Sequence, residues 1–76
     1  MMKTERLIKM ANDIGNFFNA ETDKDIAAEG IKKHILRSWD PRMRKAIIAY
    51  CQEDGSELSA LVKAAVNKLA AQAIGK

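Results

Sequence analysis

The sequence predicts an all-α fold, a compact small bundle of about four helices. Apolar residues recur at steps of three and four in four segments, and polar or turn-forming residues separate these segments. No segment alternates apolar and polar residues as a half-buried strand would. With only 76 residues the chain is long enough for one domain. We expect this domain to span residues 1–76, with a core over residues 5–69 and a tail that extends the last helix or frays.

The first predicted helix runs from about Glu5 to Phe18, with Thr4 as its N-cap. Its apolar stripe consists of Leu7, Ala11, Ile14 and Phe18, widened by Met10 and Phe17. A polar break at residues 19–22 ends it. A second helix is predicted to begin near Thr22 or Asp23 and to run to about Ser38. Its shared face consists of Ala27, Ile31, His34 and Ile35.

Asp40 and Pro41 are the sharpest local signal, because Asp is a favoured N-cap and Pro fits the first helical position. The second helix therefore ends by Trp39 and the third begins at Pro41. The third helix carries a recurring set of apolar side chains, Met43, Ile47 and Tyr50, flanked by Ile48 and Cys51. Gly55 suits a left-handed residue after its last turn.

The fourth predicted helix begins near Ser56 or Ser59, and the sequence does not choose between these caps. A continuous apolar face follows, made of Leu58, Leu61, Val62, Ala65, Val66 and Leu69. Gly15 and Gly30 both lie inside predicted helices, where glycine costs about 1 kcal/mol relative to alanine. Close packing between helices is the favoured explanation, and a groove that admits a partner's backbone is the other.

Little in the sequence points to catalysis. A single cysteine, Cys51, excludes an internal disulfide, and with one histidine, His34, the chain cannot build a zinc site of the usual Cys/His count. Both residues fall on the apolar sides of their helices, which favours packing over a Cys–His nucleophilic pair. We therefore expect no catalytic, cofactor-binding or metal-binding residues in this chain.

The charge is unevenly distributed along the chain. The net charge is +3, but residues 32–45 hold six basic residues against one acidic residue, and residues 12–31 hold five acidic residues against one basic residue. Such asymmetry can steer a partner into place. No apolar run is long enough for a signal-peptide core or a membrane span, so we expect a cytoplasmic protein without membrane contact.

The segment from Arg37 to Lys45 is the most distinctive, because the only tryptophan lies between cations at a helix corner. Trp39 either packs back over the third helix, against the stem of Arg44, or forms an interface hot spot with the arginines. The two interpretations are compatible if the indole is only partly covered.

Three strings carry a family resemblance: residues 7–18 (LIKMANDIGNFF), residues 30–44 (GIKKHILRSWDPRMR) and residues 58–65 (LSALVKAA). Over about residues 5–66 the chain resembles the delta subunit of soluble NAD-dependent formate dehydrogenases (an FdsD-like family). The resemblance implies an accessory protein without a redox centre. It would act in assembly, cofactor loading or stability of a complex whose larger subunits carry a molybdenum or tungsten pterin, iron–sulfur clusters and flavin.

The resemblance implies that the partner is a larger formate dehydrogenase subunit, foremost the molybdopterin and iron–sulfur subunit. The residues predicted to contact it are Trp39, Asp40, Pro41, Arg42, Met43, Arg44, Arg37, Asn12, Gly15 and Phe18.

Two alternative functions remain at this point. The basic run between two helices is also compatible with a nucleic-acid-binding domain, although base-reading side chains are scarce. A structural homo-oligomer is the other, if apolar faces stay exposed.

Overall fold

A computed structural model describes residues 4–74 as four helices: α1 (Thr4–Phe18), α2 (Lys24–Ser38), α3 (Pro41–Glu53) and α4 (Ala60–Ile74). No strand occurs in this part of the chain. The predicted all-α bundle is therefore confirmed. The first helix begins one residue earlier than predicted, and the last continues to Ile74. The end of the predicted tail, residues 75–76, lies outside the described residues.

The predicted signals at the starts of α2 and α3 are confirmed. The Asp23 carboxylate accepts the backbone N–H groups of Asp25 and Ile26, so Asp23 and not Thr22 is the N-cap of α2. The Asp40 carboxylate accepts the N–H of Met43 at 3.0 Å and caps α3, whose first residue is Pro41. These side chains satisfy backbone donors that the first turn of a helix leaves unpaired.

The turn between α3 and α4 is closed by several hydrogen bonds. Gly55 has a φ of +67°, the left-handed conformation that glycine adopts without strain, and its N–H donates to the Tyr50 carbonyl at 3.1 Å. The Tyr50 hydroxyl accepts the N–H of Glu57 at 2.9 Å. Ser59 takes the capping position before α4, because its hydroxyl accepts the N–H of Val62 at 3.3 Å. The open choice between Ser56 and Ser59 is thereby decided.

The core lies where α2 and α4 cross, which is the most extensive helix–helix contact, with α1 and α3 packed around it. Its largest fully buried side chains are Leu7, Ile31, Ile35, Ile47, Val62 and Val66. These six come from all four helices, so no helix has an independent core. The predicted face of α4 is confirmed, with Leu61 half-buried at its edge.

Two residues predicted to lie on apolar faces are exposed instead. In α1 the buried face includes Ile8 and Gly15, which lie across the stripe from Phe17, and Phe17 therefore points into solvent. In α2 the buried face is centred on Ile31 and Ile35 and extends to Ala28, and His34 is exposed at its other edge. In both helices the core face is rotated away from the side on which the sequence placed these rings.

The two internal glycines mark close contacts between helices, as the favoured interpretation predicts. A Cβ atom added to Gly15 would lie 2.5 Å from Cγ2 of Val62 in α4. A Cβ atom added to Gly30 would lie 2.5 Å from Cε1 of the Phe18 ring. Any larger residue at either position would force its neighbour to move.

Candidate interaction surface

Trp39 is part of the core. It is only 4% exposed, and its backbone N–H donates to the Ile35 carbonyl at 2.8 Å as the cap of α2. The Arg44 side chain donates to the Trp39 carbonyl at 2.7 Å and ties the corner to α3. The structure therefore favours the packing interpretation of Trp39. The indole has little surface left with which to contact a partner.

The other residues of the corner divide into two groups. Asp40 caps α3, and the half-buried Met43 packs against the core, so both have structural roles inside the chain. Arg37, Pro41 and Arg42 are exposed. Asp40 is exposed as well, but its carboxylate is engaged as the cap of α3.

The predicted contact residues of α1 are engaged within the chain. The Asn12 side chain donates to the Glu57 carbonyl at 2.9 Å and accepts the N–H of Ser59 at 3.1 Å. Gly15 is buried against α4, and Phe18 is half-buried over Gly30. No hydrogen bond in the described chain joins this set to the corner around Trp39. The structure does not unite the two predicted motifs into one site.

A groove lies between the end of α2, the first half of α3 and the end of α4. Its volume is about 410 Å³. The lining residues are Leu36, Pro41, Arg44, Lys45, Ile48, Leu69 and Gln72. The prediction included Pro41 and Arg44 but missed the apolar floor and Lys45. Neither the basic run nor the apolar pattern of α3 could reveal it, because α4 supplies one wall.

A second apolar surface surrounds the end of α1. Phe17 is 80% exposed, and its ring meets that of Phe18 edge to face, with centroids 5.2 Å apart. Together with Ile14, Asp13 and His34 these rings line a shallow pocket of about 320 Å³. Phe17 was absent from the predicted contact set, since the sequence placed it on the apolar stripe.

Acidic side chains from the first half of α2 are paired with lysines. Lys32 lies 3.1 Å from Glu29, and Lys68 lies 3.7 Å from Glu29 and 3.8 Å from Asp25. The hydrogen bond from Lys32 lowers the pKa of Glu29, and the charges of Lys32 and Lys68 act in the same direction. Within residues 4–74, in contrast, no ion pair involves an arginine. The arginine charge of the basic segment is therefore available to a partner.

No hydrogen bond joins Cys51 to His34 in the described part of the chain. The half-buried Cys51 thiol lies 3.9 Å from Oδ1 of Asn67, to which it donates, and burial raises its pKa. A raised pKa disfavours the thiolate that a nucleophile requires. Among the described residues no three His, Cys, Asp or Glu side chains cluster in a way that could hold a metal ion.

In the described part of the chain, none of the helices combines the length and the apolar character that a membrane crossing requires. The fold is that of a small all-helical protein. Within this class, residues 6–66 match the family model of the NADH-dependent formate dehydrogenase delta subunit, FdsD. The chain belongs to this family. No curated protein and no solved structure matches it.

Proposed function

We propose that this chain is a non-catalytic accessory subunit of a cytoplasmic, molybdenum- or tungsten-dependent formate dehydrogenase that reduces NAD. It acts in the assembly, cofactor loading or stability of the complex. Membership of the delta-subunit family implies association with the other subunits. The catalytic subunit is the proposed contact, and the chain holds no cofactor of its own.

The single observation that carries the proposal is the match of residues 6–66 to the delta-subunit family. The exposed Phe17 ring supports contact with a partner. Fully burying a phenylalanine side chain contributes about 1.5–3 kcal/mol, so leaving this ring in water forgoes a gain that a 76-residue domain would benefit from. Aromatic side chains are enriched in protein interfaces relative to the rest of the protein surface. A partner that covers Phe17 would gain the burial that the isolated fold does not achieve.

The test is copurification of the larger subunits with the tagged chain from its own host. Phe17→Ser should weaken recovery at least tenfold, whereas Phe17→Leu keeps an apolar side chain and should retain most of it. Both substitutions are at an exposed position, so helicity measured by circular dichroism should be unchanged. Deletion of the chain should lower formate oxidation in extracts. Failure of the parent chain to copurify with any larger subunit, with formate oxidation intact after deletion, would refute the proposal.

The exposed Arg37 and Arg42 support a second candidate, binding to nucleic acid through phosphate contacts. Its signature is affinity for arbitrary duplex DNA that falls steeply with salt and that drops in an Arg37→Ala, Arg42→Ala double variant. Self-association of the isolated chain is the third, and sedimentation over a range of concentrations measures it directly.

A further inference from the structure

We propose that the groove between α2, α3 and α4 is the docking site for an acidic, amphipathic segment of a larger formate dehydrogenase subunit. This inference rests on the proposed function and assigns a particular surface to it. The groove differs from the Phe17 pocket in combining an apolar floor with cations at its edge.

The floor of the groove consists of the aliphatic side chains Leu36, Ile48 and Leu69, one from each of the three helices. Leu36 and Ile48 are only half-buried, so each keeps apolar surface that a partner could cover. A volume of about 410 Å³ falls in the range of pockets that enclose small ligands or anchoring side chains, about 300–1,000 Å³. The groove can therefore receive large apolar anchors.

The edge of the groove carries positively charged side chains. Arg44 and Lys45 line it, and the exposed Arg42 stands one turn before Lys45 on α3. No Asp or Glu is among the lining residues. The nearest acid along the chain, Asp40, lies outside the lining and caps α3 by accepting the N–H of Met43. This edge attracts carboxylates, and its complement is a segment with Asp or Glu beside apolar anchors.

Arg44 presents its charge in a fixed position. One of its guanidinium N–H groups donates to the Trp39 carbonyl at 2.7 Å, which holds the side chain against the corner. A guanidinium has further N–H groups, and a planar fork held in place loses less freedom when it binds a carboxylate. The buried Trp39 is then a support for this edge, while its own indole stays in the core.

The apolar floor favours a peptide segment over nucleic acid. The phosphates of a nucleic acid bind cations but make no favourable contact with the apolar side chains of Leu36 and Ile48. An amphipathic helix uses both features of the groove, with apolar anchors at i, i+3 or i+4 and carboxylates beside them. Most of the lining residues come from α3 and α4, and two helices placed in this way can flank a third.

Two substitutions at the edge test the groove, each with a matched control. Lys45→Glu reverses a charge at the groove, and Lys33→Glu makes the same change at an exposed position of α2 outside it. Gln72→Trp places a large ring over the groove, and Gln52→Trp does the same on an exposed position of α3 outside it. All four sites are on helices, and circular dichroism checks that the variants fold.

The measurement is the affinity of each variant for the larger subunits of the complex. We expect Lys45→Glu and Gln72→Trp to weaken binding about tenfold or more, with the controls within about twofold of the parent. A photo-cross-linker at position 72 should capture a segment of a larger subunit rich in Asp or Glu, and exchanging its acids for lysines should restore binding to Lys45→Glu.

The outcomes separate the two proposals. If the parent chain binds the larger subunits and all four variants bind equally well, the groove is not the docking site, while the accessory role stands. Capture of a basic segment, of a second copy of this chain, or of nucleic acid at position 72 also overturns the inference. Failure of the parent chain to bind any larger subunit overturns the inference and the accessory role together.

Discussion

The side-chain oxygen of Asn12 in α1 accepts the backbone N–H of Ser59, the capping residue of α4, at 3.1 Å. The amide nitrogen of the same side chain donates to the Glu57 carbonyl at 2.9 Å. One asparagine thus holds both ends of the short segment that leads into α4. The string that the family resemblance singled out in α1 therefore includes a residue that organises the fold.

Asn12→Ala should lower the free energy of unfolding by about 1–2 kcal/mol, because two hydrogen bonds are lost. Urea denaturation followed by circular dichroism measures the change. Asn16→Ala, at an exposed position one turn later in the same helix, is the control and should change the free energy by less than about 0.5 kcal/mol. Equal effects of the two substitutions would show that the contacts of Asn12 add nothing to stability.

Gly15→Ala should destabilise the protein by about 1–2 kcal/mol. The added methyl group meets the fully buried Val62 side chain, and overpacking of this kind costs about 1–3 kcal/mol, partly offset by the helix propensity of alanine. Gly30→Ala meets Phe18, which is only half-buried and can turn outward, so this substitution should be close to neutral. Thermal unfolding of both variants ranks them, and the reverse order would contradict this account.

Trp39→Ala should cost about 3–5 kcal/mol, the range for removing a large aromatic side chain from a core. A domain of this size has a total stability of only about 4–11 kcal/mol, so the variant should be largely unfolded or melt far below the parent. Arg42→Ala, at the exposed side of the same corner, should leave the melting temperature unchanged. A Trp39→Ala variant that unfolds like the parent and yet fails to bind the larger subunits would restore the hot-spot interpretation.

Cys51 should react slowly with iodoacetamide near neutral pH, and its reaction rate should rise with pH later than that of the unfolded chain. Burial raises the pKa of the folded thiol, so the folded state holds this proton more tightly than the unfolded state does. The contribution to stability is complete below the unfolded pKa of about 8.5 and is lost as the pH rises through the folded value. When the free energy of unfolding is measured over a range of pH, the Cys51→Ala variant should lack this contribution. Rapid alkylation of the folded protein at pH 7 would contradict the raised pKa.

The corners and caps of the fold were predictable because their signals are local. Asp40 and Pro41 determine the start of α3 through one hydrogen bond and one fixed φ angle, and Gly55 determines the end through a conformation that other residues avoid. Such signals act between neighbouring residues and do not depend on distant parts of the chain. The apolar periodicity of α4 was equally clear, since nearly the whole predicted face is buried.

The surface was not predictable to the same degree. Periodicity alone places Phe17 on the edge of an apolar stripe, and only the position of α4, close against Gly15, determines which edge of α1 is buried. Trp39 was equally hard to place from the sequence. Its residue type fits an interface hot spot, but its buried position is that of a core side chain. The groove combines Leu36, Ile48 and Leu69 from three helices, and no single segment indicates it.

The sequence by itself determined the helical class, the corner between α2 and α3, and the family, because capping residues, periodicity and characteristic strings all act within short segments. The tertiary structure decided which side of each helix faces the core. That choice depends on close contacts between distant residues, such as Gly15 with Val62 and Asn12 with Ser59, which bring the helices to one particular distance and rotation. This arrangement of the helices leaves Phe17 and the groove available to a partner.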